Sequence, residues 1–372
     1  MEKIENEILS KVDEISQQMI ASIQDIVKIK SVREESLPDA PFGKGPKQAL
    51  DAVLALANEL GFTTTNVDNY AGFASYGEIN DEDYVGIMGH LDVVPEGTGW
   101  KHAPYSGYIE DDVIYSRGVL DNKGPILSCL FALYALKQLG IKLKHEVRII
   151  FGCNEETGFA DVKYYLSKHK PPKMGFTPDC KYPVVYGERG RAVVKISNKT
   201  ADLQAFFNLV NTYILNAKNN GERLGIDFTD EEFGLLEVRN YQLLNDNKPA
   251  VQFSVSYPAS CTPQQIIENI QNAVGCDYCV ELIDNYNPVK FEKDCFLVKI
   301  LVDTYEKVTG NDGTPVTTTG GTYAKMMPNI VPFGPSFPGQ KGIGHQPNEW
   351  MTVPDLITNA KIYALSIYQL AK

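Results

Sequence analysis

The run YVGIMGHLDVV, residues 84–94, is apolar or glycine everywhere except His90 and Asp92. A strand that faces water on one side alternates apolar and polar residues, so a run this dense belongs in a sheet covered on both faces. Upstream, QALDAVLALANELGF (48–62) has the spacing of an amphipathic helix. Downstream, GPILSCLFALYALKQLG (124–140) is almost wholly apolar and reads as a buried helix, with Pro125 in its first turn and Gly140 at its exit. HEVRIIFGC (145–153) is a second buried strand. Strand and helix in alternation predict an α/β layer architecture.

The chain has 372 residues, enough for two domains or one large domain with an insert. A hydrophobic content of 43% and a charged content of 22% suit a soluble globular enzyme. The net charge of −12 argues against nucleic acid as a partner and gives no pull toward an anionic membrane. Ile4, Ile8, Val12, Ile15, Met19, Ile23 and Ile26 recur at helical spacing where a signal peptide would carry an unbroken apolar stretch. No stretch reaches the roughly 18 apolar residues of a membrane span. Seven scattered cysteines fit a reducing cytoplasm better than a disulfide framework. Cys276 and Cys279 form an isolated C-x-x-C, read as two small apolar residues in or beside a strand.

After YGERG the rhythm changes. RAVVKIS (191–197) reads as a strand, and 201–217 as a helix with Leu203, Phe206, Phe207, Val210 and Ile214 on one face. Strands at 233–243 and 250–257 flank the turn NDNKP, Thr262 and Pro263 open a helix, and DYCVELI (277–283) is a last strand. Strand-helix-strand-strand-helix-strand is the ferredoxin-like order. The expected layout is a catalytic domain in two parts, 1–189 and 287–372, interrupted by an inserted α+β lid domain at 190–286. Helices at 292–308 and from about 354 close the chain.

His90 ends a strand, with Asp92 two residues on and placed to hold its second ring nitrogen, as metal-bound histidines require. Asp121 sits in the glycine-flanked turn SRGVLDNKGP, where an ordinary turn or cap role is equally available. Glu155 and Glu156 follow the strand 145–152, Asp179 follows a Thr-Pro, and His345 lies in the loop GIGHQPNEW. Each residue is ordinary alone. Together they gather at strand exits, and in open α/β sheets the ligand crevice lies beyond the carboxyl ends of the strands. Mixed imidazole and carboxylate donors suit zinc, with manganese or cobalt as substitutes.

PFGKGPKQALD, GHLDVVPEGTGW, GVLDNKGP, NEETGF, FTPD, GTYAK…PNIVPFGPSFPG and GHQPNE, in that order, resemble the cytosolic dinuclear zinc dipeptidases of the PepV and carnosinase type. These belong to the metallopeptidase family that includes aminoacylases and glutamate carboxypeptidase. The resemblance implies a zinc-exopeptidase-like catalytic domain built on a mixed sheet, and two zinc ions. His90 and Asp179 would hold one ion, Glu156 and His345 the other, and Asp121 would bridge them. Asp92 would support His90, and Glu155 would be the general base. Lys325, Gly321 and Asn329 would contact the substrate, a dipeptide or N-acyl amino acid. A cytoplasmic monomer or homodimer is expected.

Departures from the family lie mainly in the insert. It has room for one ferredoxin-like unit where the PepV type carries roughly two. Residues 190–286 contain no histidine, although such lids present one to the oxyanion. Ser256 stands where an arginine precedes Tyr-Pro, Asn122 where a second Asp is usual, and Lys325 where Arg is usual. Loss of one oxyanion donor costs about 10²–10³ in turnover. The expectation is therefore intact metal binding with dipeptidase activity weakened, redirected or absent. Arg189, Arg191, Lys325 or a partner subunit could supply the missing groups, and a non-catalytic binding protein is the alternative. His102, His145 and His169 are read as a rim residue, a strand start and a solvated helix end.

Overall fold

The computed structural model describes residues 2–78, 80–245 and 248–372. Asp246 and Asn247, in the expected turn NDNKP, lie outside the described residues. The chain forms two compact units: residues 1–185, 292–315 and 322–372 in one, and 186–291 with 316–321 in the other. Among the described residues, no helix is long and apolar enough to cross a membrane.

The first unit is built on a six-stranded sheet. Its strands are β1 (Thr63–Val67), β2 (Ala71–Tyr76), β3 (Tyr84–His90), β4 (Glu146–Gly152), β5 (Met174–Thr177) and β6 (Ile330–Pro332), in the order β1-β2-β4-β3-β5-β6. β1, β2 and β4 pair antiparallel, whereas β3 runs parallel to β4 and β5, and β5 parallel to β6. The α/β sheet expected from the apolar runs is thus present and is mixed, as the resemblance implied, and β3 and β4 are buried along their whole length. Side chains alternate across the sheet. On one face, Gly89 lies against Ile126 of the helix Lys123–Gln138. On the other, Phe73 and Tyr84 meet Tyr165 of the helix Ala160–Lys168. The helix Lys123–Gln138 is buried nearly throughout, as its unbroken apolar sequence demands, and the N-terminal helix Glu2–Val27 buries Ile8, Val12, Met19, Ile23 and Ile26.

The second unit carries a four-stranded antiparallel sheet of Gly190–Asn198, Glu237–Asn245, Pro249–Tyr257 and Tyr278–Tyr286. Numbered along the chain, these lie in the order 2-3-1-4, with helices Leu203–Leu209 and Pro263–Val274 in the two connections. Thr262 caps the second helix, its side chain accepting from the Gln265 amide in a capping box. The first helix differs from its sequence reading. It stops at Leu209 and passes into a π-helical turn, Val210–Ile214. The buried face is Phe206, Leu209 and Val210, while Leu203 and Phe207 are exposed. The second strand begins at Glu237, four residues later than its pattern suggests, because 231–233 form a turn. Cys279 lies in the strand Tyr278–Tyr286 and Cys276 just before it, both exposed, and all seven cysteines are free.

Candidate metal centre

The parallel register puts His90 directly beside Gly152, so β3 and β4 end together. Immediately beyond them, the turn 153–157 carries Glu155 and Glu156. Its shape is dictated by two buried acids. Asp161 Oδ2 accepts the amide protons of Cys153 and Asn154, both at 2.7 Å, and the Tyr323 hydroxyl as well. A Cβ on Gly152 would lie 1.9 Å from that hydroxyl oxygen, so only glycine lets Tyr323 and Asp161 fit beneath the turn. Asp92 then takes the next two amides: Oδ1 accepts from Glu155 and Oδ2 from Glu156, each at 3.1 Å. One buried carboxylate thereby fixes the backbone of both glutamates and leaves their side chains to project separately.

His90 is fully buried. Its Nδ1 lies 2.9 Å from the main-chain oxygen of Asp92, while the Asp92 carboxylate stands 3.5 Å away. The support expected from Asp92 therefore reaches the ring chiefly through its carbonyl. His90 Nε2 lies 3.0 Å from Asp121 Oδ1 and 3.7 Å from Asp179 Oδ2. The other Asp121 oxygen, Oδ2, lies 3.0 Å from His345 Nε2, which is also 3.1 Å from Glu156 Oε1. Asp121 thus reaches a different histidine with each oxygen. Asn122, the departure from Asp, donates from Nδ2 to the Pro178 carbonyl at 2.6 Å and accepts the His90 amide at 3.1 Å. A carboxylate could not make the first of these bonds.

Burial raises the Glu155 carboxyl well above its usual range, and the Asp179 charge adds to that. Burial pushes Asp179 up to about 7 against the pull of His90, and raises Glu156 despite its bond to His345. Burial opposes ionisation of Asp121 too, yet bonds to His345 and His90 hold it below the usual range. The Asp121 and Glu156 contacts push His345 up to about 11; at His90 burial is outweighed by Asp179 and Asp121. The cluster thus holds more negative charge than its two imidazoles can balance. That is the chemistry of a divalent-cation site. Among the described residues, His90, Asp121 and Glu156, and likewise His90, Glu155 and Asp179, offer donor atoms within 4.8 Å of one another.

Several residues essential to this arrangement were not singled out from the sequence. Glu349 is buried four residues after His345; its Oε1 accepts amide protons from Gly118, Leu120 and Asp121 at 2.9–3.0 Å, and its Oε2 accepts from Arg117 at 2.6 Å. A cavity of about 230 Å³ opens against Asp121 and Asp179, with Ser336 and Lys341 also in its wall. The only hints in sequence were position: Glu349 inside GHQPNE and Arg117 inside SRGVLDN.

The substrate candidates fare unevenly. Asn329 precedes β6, whose Ile330 pairs with Gly175 near the start of β5, so it lies at the end of the sheet opposite His90. Its Nδ2 donates to the Pro172 carbonyl at 2.9 Å, a structural bond rather than a free recognition group. Lys325 closes the short helix Tyr323–Lys325, and Gly321 is exposed in the second unit. Arg189 is buried, with Nε and Nη2 donating to the Phe233 carbonyl at 2.9 and 2.5 Å, so its guanidinium is engaged within its own unit. Arg191 is exposed, and Ser256 Oγ lies 3.4 Å from the Thr319 carbonyl. His102 stacks on Tyr108, His145 faces Asp83 at 3.3 Å, and His169 is half-buried against Phe73 and Asp81 rather than solvated.

The description Peptidase family M20/M25/M40 matches residues 86–369. A Bacillus subtilis (strain 168) protein named "Putative dipeptidase YtjP" is 27% identical over 454 aligned positions, covering 95% of this chain and 97% of the relative. That span exceeds the 372 residues present here, so the relative carries segments this chain lacks. Human carnosine dipeptidase 1 superposes with a TM-score of 0.70 at 16% identity, covering 99% of this chain and 98% of that one. The dipeptidase Dug1p from Saccharomyces cerevisiae gives 0.71 at 14%, covering 100% and 99%. Both share the fold.

Proposed function

Because the chain belongs to peptidase family M20/M25/M40 and is a metallohydrolase, we propose that it cleaves the amide bond of a dipeptide or N-acyl amino acid with two divalent cations. Zinc is the first choice of metal, and manganese or cobalt could replace it. The observation that carries this reading is Asp121, one oxygen 3.0 Å from His90 and the other 3.0 Å from His345. In this reading His90 and Asp179 hold one cation, Glu156 and His345 the second, and Asp121 serves both. Two cations so held would lower the pKa of a water and polarise the scissile carbonyl.

The remaining chemistry falls to the chain itself. Amide hydrolysis must remove a proton from the attacking water and deliver one to the departing nitrogen. Glu155 is suited to both tasks, because burial raises its carboxyl toward the pH at which it can accept and then release a proton. Asp92 keeps the Glu155 amide, and with it the start of that side chain, fixed against the end of β3. Lys341, in the wall of the cavity beside Asp121 and Asp179, offers a cation to the free carboxylate of such a substrate.

The test is hydrolysis of a panel of dipeptides and N-acyl amino acids by zinc- or manganese-loaded protein, with Glu155→Gln alongside. Turnover that disappears in the variant supports the proposal; turnover unchanged by it removes Glu155 from the mechanism. A second reading, a cation-binding relative without peptidase activity, is favoured by the absence of histidine from 190–286 and by the segments that the Bacillus relative carries and this chain lacks. Two bound cations with no turnover of any panel member would select it.

A further inference from the structure

His345 and Asp121 come from segments far apart in sequence, yet their side chains meet at 3.0 Å. The contact needs a fixed distance between two irregular loops, 116–122 and 342–349, neither of which is a strand or an α-helix over that length. His345 adds to the difficulty. It is more than half exposed and its backbone has φ 60°, in the left-handed region, so neither burial nor regular structure holds it. Trp350–Thr352 pairs antiparallel with Val113–Tyr115 and the Ser116 amide donates to the Glu349 carbonyl at 3.0 Å, which ties the two loops together at one end only. Beyond that point the side-chain link is Glu349. It leaves the His345 loop and enters the concave side of the Asp121 loop, where a single oxygen collects three amide protons, the last from Asp121 itself. Arg117 closes the arrangement from the start of the same loop. Its guanidinium also lies 5.3 Å over the Trp100 ring, and its Nη2 reaches the Pro95 and Glu96 carbonyls at 3.4 Å.

We propose that Glu349 is a positioning residue for the metal centre: its carboxylate, oriented by Arg117, sets the spacing between Asp121 and His345 and thereby the affinity and geometry with which the site takes a divalent cation. The inference rests on the cation-site reading above. Glu349 touches neither imidazole and donates nothing to a cation. It acts through the Asp121 main chain and through the four-residue tether to His345. Partners of this kind, one step removed from the metal, typically alter affinity by about 10–100-fold.

The probe is Co²⁺, titrated into metal-free full-length protein and followed by its visible absorption, which reports ligand geometry independently of turnover. Glu349→Gln keeps an oxygen for the amides and loses the ionic bond to Arg117. Glu349→Asp keeps the charge and withdraws it by one methylene. Arg117→Met removes the orienting partner and stands in if Glu349→Gln fails to fold. Glu146→Gln is the control, because it damages another buried carboxylate–arginine pair in the same unit, at the far end of β4 from His90. The expected result is Co²⁺ affinity about 10–100-fold weaker with an altered spectrum in Glu349→Gln and Arg117→Met. Glu349→Asp should fall in between, and Glu146→Gln should lose melting temperature while keeping the wild-type spectrum. Wild-type affinity and spectrum in a folded Glu349→Gln or Arg117→Met would overturn the positioning role alone, as would an equal spectral change in Glu146→Gln. Absence of Co²⁺ binding by the wild-type protein would overturn the cation site and the positioning role together.

Discussion

The two ends of the central sheet both collect buried charge, and they treat it in opposite ways. At the end where β4 begins, Arg148 is almost completely buried. It gives Nε and Nη2 to the two Glu146 oxygens at 2.9 and 3.0 Å and Nη1 to Asp81 at 2.6 Å. Its planar group lies over Tyr84 at 4.2 Å and Phe73 at 4.7 Å. Neighbouring Asp83 meets Lys173 at 3.0 Å. Negative groups here have cationic partners from the chain. At the end where β3 and β4 finish, Asp92, Asp121, Glu155, Glu156 and Asp179 surround two imidazoles. Burial acts against ionised acids at both ends. At Asp81 the bonds from Arg148 and His169 overcome it and lower the pKa, whereas at Asp179 it prevails. A cluster whose charges close on themselves is a structural element; one that leaves a deficit is a binding site.

That contrast can be broken most directly at Glu155. Glu155→Gln should lower turnover by about 10²–10⁴-fold while cation stoichiometry, read by metal analysis, stays at the wild-type value. Arg148→Met should do the reverse. Leaving Glu146 and Asp81 without their shared partner should cost about 3–5 kcal/mol in denaturant unfolding, with Co²⁺ affinity unchanged. Chelation sharpens the comparison from the other side. Saturating cation at 100 times its Kd should stabilise the fold by about 2.7 kcal/mol, and chelator should erase that increment in calorimetry. The smallest effect concerns Asp81, whose folded pKa is lowered. Its contribution is therefore present above the unfolded carboxylate value and is lost as pH falls through the lower, folded one. The difference in melting temperature between wild type and Asp81→Asn should narrow as pH drops below about 4.

Much of the first unit was legible because its strands are buried on both faces and so carry an unmistakable apolar signature. Once β3 and β4 are placed, His90 and the Glu155–Glu156 turn fall at strand exits. Asp121, Asp179 and His345 join them through recognisable motifs. Glu349 was opaque for a physical reason. Its partners are main-chain amides more than two hundred residues earlier, and a main-chain donor leaves no trace in residue identity. Asp161 is hidden in the same way. The face of the helix at 203–209 was misassigned because Leu203, Phe206, Phe207 and Val210 form one apolar stripe and Phe206, Leu209 and Val210 an overlapping one, and the residue types alone do not choose between them. Asn329 was named through the resemblance alone, which says nothing about which end of a strand a residue occupies.

The dispersion of the site along the chain has a consequence in time. His90, Asp121, Glu155, Glu156, Asp179 and His345 come from separate segments, and the last is made long after the first. At 5–20 residues per second, roughly 10–50 s pass between the synthesis of His90 and that of His345. Through that interval the growing polypeptide displays acids without the second imidazole, and Asp121 without the carboxylate of Glu349 that shapes its loop. The complete set of donors exists only once the segment carrying His345 has emerged. Acquisition of the full set of cations accordingly waits for the segment that carries His345 and Glu349, and a nascent fragment that stops short of the helix Val353–Ala371 would have the ligands without the support that helix gives the first unit.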